Sequence, residues 1–225
     1  MIPARLVTFD FYTALVDYES SLLPAVRQVC EPSADPVQLL RAWRAKQLEG
    51  ALLSNSLQRG RVPFRELTRR ALIYTFAKAG HSLSKTCVDD LVSAWDGLSP
   101  WPEANSTLAD LRARGYVLGV LSNGDETMLR AGMRCFDVMF DHVLASDHAG
   151  VYKPHPAIYA LPLERLGVAR EQVLHVAGSA NDVAGAKLAG LQCAWSNRNG
   201  EPMLQPDVKA DYEMRSLADL LRVLE

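Results

Sequence analysis

The 225-residue chain has no paired-cysteine pattern: Cys30, Cys87, Cys135 and Cys193 are widely scattered, and no CxxC occurs. Neither a disulfide framework nor a zinc site is expected, and the four read as small buried hydrophobes. Long hydrophobic runs are missing as well. The longest, such as YVLGVL from Tyr116 to Leu121, fall far short of a bilayer span. The N-terminus lacks the charged-then-apolar layout of a signal peptide, so a cytoplasmic protein with no membrane partner is expected. Charge of one sign is not in excess either, with a net charge of -2 and a pI near 6.2. No broad basic face is implied, which argues against nucleic acid as a partner. Internal repeats and low-complexity segments are absent.

What is present is alternation. Short apolar runs end in small or polar residues at Leu6 to Phe9, Tyr116 to Leu121, His142 to Leu144, Val173 to Val176 and Cys193 to Trp195. Helical patterns such as ANSTLADLRARG and AIYALPLERLG separate most of them and end in glycines suited to helix C-caps. Strand and helix alternating in this way predict an α/β fold with a doubly wound parallel, Rossmann-like sheet. In such sheets the site lies at the carboxyl ends of the strands.

The interval between the first two strands is too long, roughly 80 to 100 residues where a crossover unit needs about 30. It holds helix-like segments, including DPVQLLRAWRAKQLEGALL, with Asp35 as N-cap and Pro36 at the first helical position. An all-helical cap, residues 17–98, is therefore expected inside a core made of 1–16 and 99–225.

Four predicted strand ends or loops carry polar groups that packing does not require: Asp10, Ser122-Asn123, Lys153 and Asp182. In a doubly wound fold the four converge on one crevice. Each has a plainer reading alone, Asp10 and Asp182 as helix caps, Ser122-Asn123-Gly124 as a turn, and Lys153 as a solvated loop lysine. The conjunction, in this order, is more specific than any member.

The segments FDFYTALVD, LSNG, YKP and AGSANDVAGAKLAG resemble, in order, the motifs of the haloacid dehalogenase superfamily, whose cap is likewise inserted after the first motif. Tyr12 narrows the resemblance. Phosphatases of that superfamily carry there a second aspartate, an acid/base that also helps hold magnesium, and another acid at the position of Ala177. A hard cation needs oxygen ligands that Asp10 and Asp182 alone supply poorly, so neither a metal nor another cofactor is expected. Asp-x-Tyr followed by AWRAKQLE is similar instead to the L-2-haloacid dehalogenases.

That resemblance implies hydrolysis of short 2-haloalkanoic acids, with a halogenated carboxylate as the small-molecule partner. Asp10 would displace the halide, giving an ester. Lys153 would favour the charged carboxylate, Ser122 and nearby N–H groups would hold the substrate carboxylate, and Arg44 with Asn123 would stabilise the departing halide. Asp182 is the candidate to orient or activate the hydrolytic water. Tyr12 and Tyr159 would wall the pocket, and Thr13 and Ser179 would complete the substrate-binding set. On helix pattern alone, Arg44 reads instead as a solvated residue pairing with Glu49.

Departures are visible. Where the branch reads Asp-x-Tyr-Gly-Thr, this chain has Thr13-Ala14, placing the threonine hydroxyl one position early. Ala177 and Ser179 replace a serine and an asparagine near the water site, and Asn181 stands where an aromatic residue is common. Two alternatives stay open: a magnesium-dependent small-molecule phosphatase and a catalytically silent protein that binds a small carboxylate. The branch is often dimeric, and an apolar cap face around Trp43 and Leu48 suits a homodimer.

Overall fold

The computed structural model describes residues 5–32 and 34–225. Residues 1–4 of the expected core segment and Ser33 of the expected cap segment lie outside the described residues. The first strand, β1 (Leu6–Phe9), is buried at all four positions, the signature of a strand covered on both faces. It leads through a π-helical turn, Phe11–Leu15, into β2 (Val16–Asp17). Four helices follow: α1 (Tyr18–Val29), α2 (Pro36–Leu57), α3 (Phe64–Lys78) and α4 (Lys85–Ser93). Asp35 caps α2 as expected, accepting from the N–H groups of Val37 and Gln38.

The chain returns at β3 (Ser99–Pro100), which pairs antiparallel with β2. The two-residue ladder is a neck through which the helical segment leaves and rejoins the sheet. Helix α5 (Ala104–Ala113) then precedes β4 (Val117–Ser122), α6 (Glu126–Gly132), β5 (His142–Ala145), α7 (Ser146–Ala149) and α8 (Pro156–Leu166). The chain ends with β6 (Val173–Ala177), α9 (Ala180–Leu188), β7 (Gln192–Ser196), β8 (Tyr212–Met214) and α10 (Leu220–Val223).

The main sheet has six strands in the order β5-β4-β1-β6-β7-β8, all parallel. The doubly wound expectation therefore holds. The sixth strand, β8, escaped the sequence reading because its three residues include two exposed ones at the sheet edge. After β1 the chain builds outward to one side, then crosses back to build the other, so the winding reverses at β1. The crevice of such a sheet opens there, beyond Phe9, Ser122 and Ala177.

One apolar cluster joins the cap helices to the sheet through Phe9, Phe11, Trp43, Phe64 and Trp95. A second fills the opposite face with Ile158, Tyr159, Val183 and Trp195. Two expectations about this packing need correction. Only Cys193 among the cysteines is buried, because Cys30 and Cys87 lie in half-buried helix-end positions and Cys135 in a half-buried turn. Trp43 is fully buried and donates to the Thr68 carbonyl at 2.8 Å, so it forms no exposed cap face.

Candidate active site

Asp10 follows β1 directly and caps the π-helical turn. Its Oδ2 accepts from the Thr13 N–H at 3.0 Å and from Thr13 Oγ1 at 2.7 Å. The hydroxyl placed one position early thus reaches the carboxylate, and Thr13 has no positive φ. Capping and a chemical role are compatible here, since one oxygen is tied down and Oδ1 faces the crevice. Oδ1 accepts more loosely, from Ser122 Oγ at 3.2 Å and Lys153 Nζ at 3.4 Å. Ser122 ends β4, and Lys153 lies in the loop before α8, so three separate elements converge on one carboxylate.

Lys153 Nζ also donates to Asp182 Oδ2 at 2.9 Å, and Tyr159 donates its hydroxyl to Asp182 Oδ1 at 2.8 Å. The tyrosine reaches so far because position 185 is glycine: a Cβ there would sit 2.4 Å from the Tyr159 oxygen. Burial works against the charge of Asp182, yet Lys153 and His175 outweigh it and hold the carboxyl well below its usual range. Both carboxylate oxygens are occupied by donors. Ser179, not Asp182, caps α9, its Oγ accepting from the Asp182 N–H at 3.4 Å. Ser179 is half-buried and, with Thr13, lines a cleft of about 650 Å³ on the outer side of the site. It does not join the buried cluster around Lys153.

Above the crevice lies Arg44 on α2. It is buried, its guanidinium carbon 5.5 Å from the Tyr12 and Tyr18 ring centres and 5.4 Å from that of Trp95. The solvated reading with Glu49 fails, because Lys46 takes that partner. Arg44 instead donates to Gln47 Oε1, and Gln47 is anchored on Thr68. Burial lowers its pKa, with Tyr18, Asp10 and Tyr12 acting in the opposite sense. Among the described residues no carboxylate forms an ion pair with it. A buried cation with no anion beside it is costly, so an arriving anion gains there. Tyr12 is stacked on Phe64 at 5.5 Å, and burial keeps its phenol neutral by pushing the pKa far up. Its hydroxyl has no hydrogen-bond partner among the described residues. Asn123 Oδ1 accepts from the Lys153 N–H at 2.7 Å, which fixes the amide and leaves its Nδ2 end as a donor.

Three residues escaped the sequence reading. Asp125 caps α3 from across the chain, accepting from the N–H groups of Phe64 and Arg65 at 2.9 Å each while pairing with Arg61 at 2.6 Å. It thereby clamps the helices that carry the roof to the loop after β4. Thr8 and His175 sit inside β1 and β6, opposite each other in register and fully buried. His175 Nδ1 lies 3.0 Å from Thr8 Oγ1, and its Nε2 lies 3.0 Å from Asp182 Oδ2 and 3.3 Å from Lys153 Nζ. The one signal available was a histidine in an otherwise apolar strand run.

Comparison with known proteins finds similar sequences and a similar fold. A family model described as haloacid dehalogenase-like hydrolase matches residues 4–190. The (S)-2-haloacid dehalogenase 4A of Burkholderia cepacia is 34% identical over 98% of this chain and 94% of its own length. The haloacetate dehalogenase H-2 of Moraxella sp. (strain B) is 35% identical over 86% of each chain. The structure of the L-2-haloacid dehalogenase from Xanthobacter autotrophicus with chloropropionic acid covalently bound superposes with a TM-score of 0.87. It is 30% identical and covers 98% of both chains.

Proposed function

The chain belongs to the haloacid dehalogenase-like hydrolases, and within that family we propose that it hydrolyses short 2-haloalkanoic acids through an ester on Asp10. The carrying observation is the buried Asp10 carboxylate, held by Thr13, Ser122 and Lys153 beneath a buried Arg44 that has no carboxylate partner among the described residues. Such a pocket takes in a small anion and presents a carboxylate to it. The relatives named as acting on haloacids support the substrate class.

Oδ1, the less tightly held oxygen, attacks C2 as the carbon–halogen bond breaks, and the electron pair leaves with the halide. Arg44 and the Nδ2 of Asn123 stabilise that charge in a largely apolar pocket, where electrostatic interactions are strong. Ser122 and nearby N–H groups hold the substrate carboxylate, while Tyr12, Phe64 and Tyr159 form the walls. Water then adds at Cγ of Asp10 and the Cγ–Oδ1 bond breaks. One water proton passes to the departing alkoxide oxygen and the other to solvent, which regenerates the carboxylate and releases a 2-hydroxy acid of opposite configuration. Asp182 anchors Lys153; with both oxygens already accepting, it is poorly placed as the base for that water. The cleft lined by Thr13, whose side chain bonds Asp10, and by Ser179 is the proposed route for that water.

The donor set does not fit magnesium. The two carboxylates are bridged by the Lys153 ammonium, and a neutral phenol stands where the phosphatase acid belongs. Halide release from (S)-2-chloropropionate should be unaffected by a chelator and abolished by Asp10→Asn. Phosphate release from phosphoesters that stops on chelation would sink this reading.

Residues 17–98 act in this proposal as a cap that carries Arg44 over a core of 1–16 and 99–225, a division supported by the β2–β3 neck. A homodimer is part of the same proposal. Its support is the exposed apolar set Leu52, Leu53 and Leu57 on α2 with Ile73 and Tyr74 on α3. A monomeric mass by light scattering at micromolar concentration would refute it.

A further inference from the structure

The Lys153–Asp182 pair would be complete without His175. Lys153 donates to Asp182, Tyr159 takes the other oxygen, and strand β6 could carry any apolar side chain at position 175. Instead the structure spends two polar side chains, both with no solvent exposure, on the far side of that pair. Most buried polar groups are hydrogen-bonded, and both of these are.

The distances select a tautomer. A bare Nε2 lone pair 3.0 Å from the Asp182 oxygen would be repelled, whereas an N–H there is a bond. The contact to Lys153 is longer, 3.3 Å, and would be a hydrogen bond only in the other tautomer, where the closer Asp182 contact would be lost. With the proton on Nε2, Nδ1 is an acceptor, and Thr8 Oγ1 at 3.0 Å is its donor. The groups facing the ring from neighbouring elements are Thr8 on β1, Lys153, Tyr159 on α8, Asp182 on α9 and Cys193 opposite on β7. No other acceptor among them competes for the Nε2 proton.

We propose that Thr8 and His175 are a positioning pair for the nucleophile: Thr8 fixes the Nε2–H tautomer of His175, which shares Asp182 with Lys153 and so keeps the ammonium in reach of Asp10. Lys153 Nζ stands 2.9 Å from Asp182 but 3.4 Å from Asp10. Without a second donor on its Oδ2, the Asp182 anion would draw Lys153 further toward itself and away from the reacting carboxylate. Neither Thr8 nor His175 touches substrate. They act through Asp182 and Lys153, and the inference rests on Asp10 being the nucleophile.

The test is His175→Phe, which keeps a ring in the strand, beside His175→Gln, whose side-chain amide can place an N–H near the same oxygen. Thr8→Val removes the hydroxyl in the same shape. His175→Phe should lower kcat by about tenfold to a hundredfold, the scale of misplacing a reacting group by about 1 Å. KM should stay within about twofold, because substrate contacts are elsewhere. His175→Gln should recover most of kcat, and Thr8→Val should lose part of it. Imidazole 15N spectra of the unmutated protein should show Nε2 protonated and Nδ1 bare.

Unchanged kcat in His175→Phe overturns the pairing, as does His175→Gln performing no better than His175→Phe. A proton on Nδ1 overturns it too, even if His175→Phe fails to fold. If the unmutated protein releases no halide, that failure belongs to the proposed function, and the tautomer alone then decides the pair.

Discussion

Thr13→Val isolates one oxygen. Valine keeps the branched shape of threonine and replaces Oγ1, which donates to Asp10 Oδ2 at 2.7 Å, with a methyl group. The Thr13 N–H at 3.0 Å is unaffected, so Oδ2 stays anchored by one bond instead of two. A hydrogen bond to a charged group contributes about 1.5 to 3 kcal/mol. If that contribution serves to hold Oδ1 in line with the substrate, its loss appears in the barrier, at about 1.36 kcal/mol per decade, as a kcat lower by roughly 10- to 150-fold. KM should hardly change, because the Thr13 hydroxyl is spent on Asp10 and not on substrate. Halide release over a range of (S)-2-chloropropionate concentrations measures both constants, with Thr13→Ser as the control that retains the hydroxyl. Thr13→Val with kcat within about twofold of the parent would refute this account of the displaced threonine.

Other expected outcomes follow from single contacts. A Cβ at Gly178 would lie 2.1 Å from Thr13 Oγ1 and 2.6 Å from the Ala14 backbone nitrogen. Gly178→Ala should therefore lower both activity and thermal stability, overpacking costing about 1 to 3 kcal/mol, whereas Gly97→Ala, with nothing within 4 Å, should leave kcat unchanged. Asp125→Asn weakens the cap of α3 and the pair with Arg61. A loss of about 2 kcal/mol lowers Tm by roughly 4 to 8 °C in a chain of this size, readable by calorimetry. Asp182 has its carboxyl lowered on folding. Its stabilisation is complete above the unfolded pKa, about 4, and is lost as pH falls below that. Tm should thus fall more steeply between about pH 5 and pH 3 in the parent than in Asp182→Asn, and parallel slopes would contradict the assignment.

The sheet and its crevice were legible because buried parallel strands read as uninterrupted apolar runs. Asp10, Ser122 and Asp182 stood out as polar residues just past such runs. Arg44 was different: its helix pattern pointed to solvent, and the resemblance of AWRAKQLE to a known segment pointed inward, and the structure buries it against Tyr12, Tyr18 and Trp95. His175 and Thr8 were hidden by the same logic that revealed the strands, since a polar residue within an apolar run leaves the run intact. Asp125 was invisible for another reason. The helix it caps begins at Phe64, some 60 positions earlier in the chain, and capping signals are read from adjacent residues. Asp182 was found, but its partners were not, because only the structure shows that its oxygens accept from Lys153, His175 and Tyr159.

The ester on Asp10 is the central claim, and a single turnover in H₂18O with enzyme in excess over (S)-2-chloropropionate tests it directly. Mass analysis of the peptide containing Asp10 should find one 18O in its carboxylate, and the 2-hydroxy acid formed in that turnover should carry none. Label in the hydroxy acid, with Asp10 unlabelled, would mean that water attacks the substrate directly and that Asp10 is not the nucleophile.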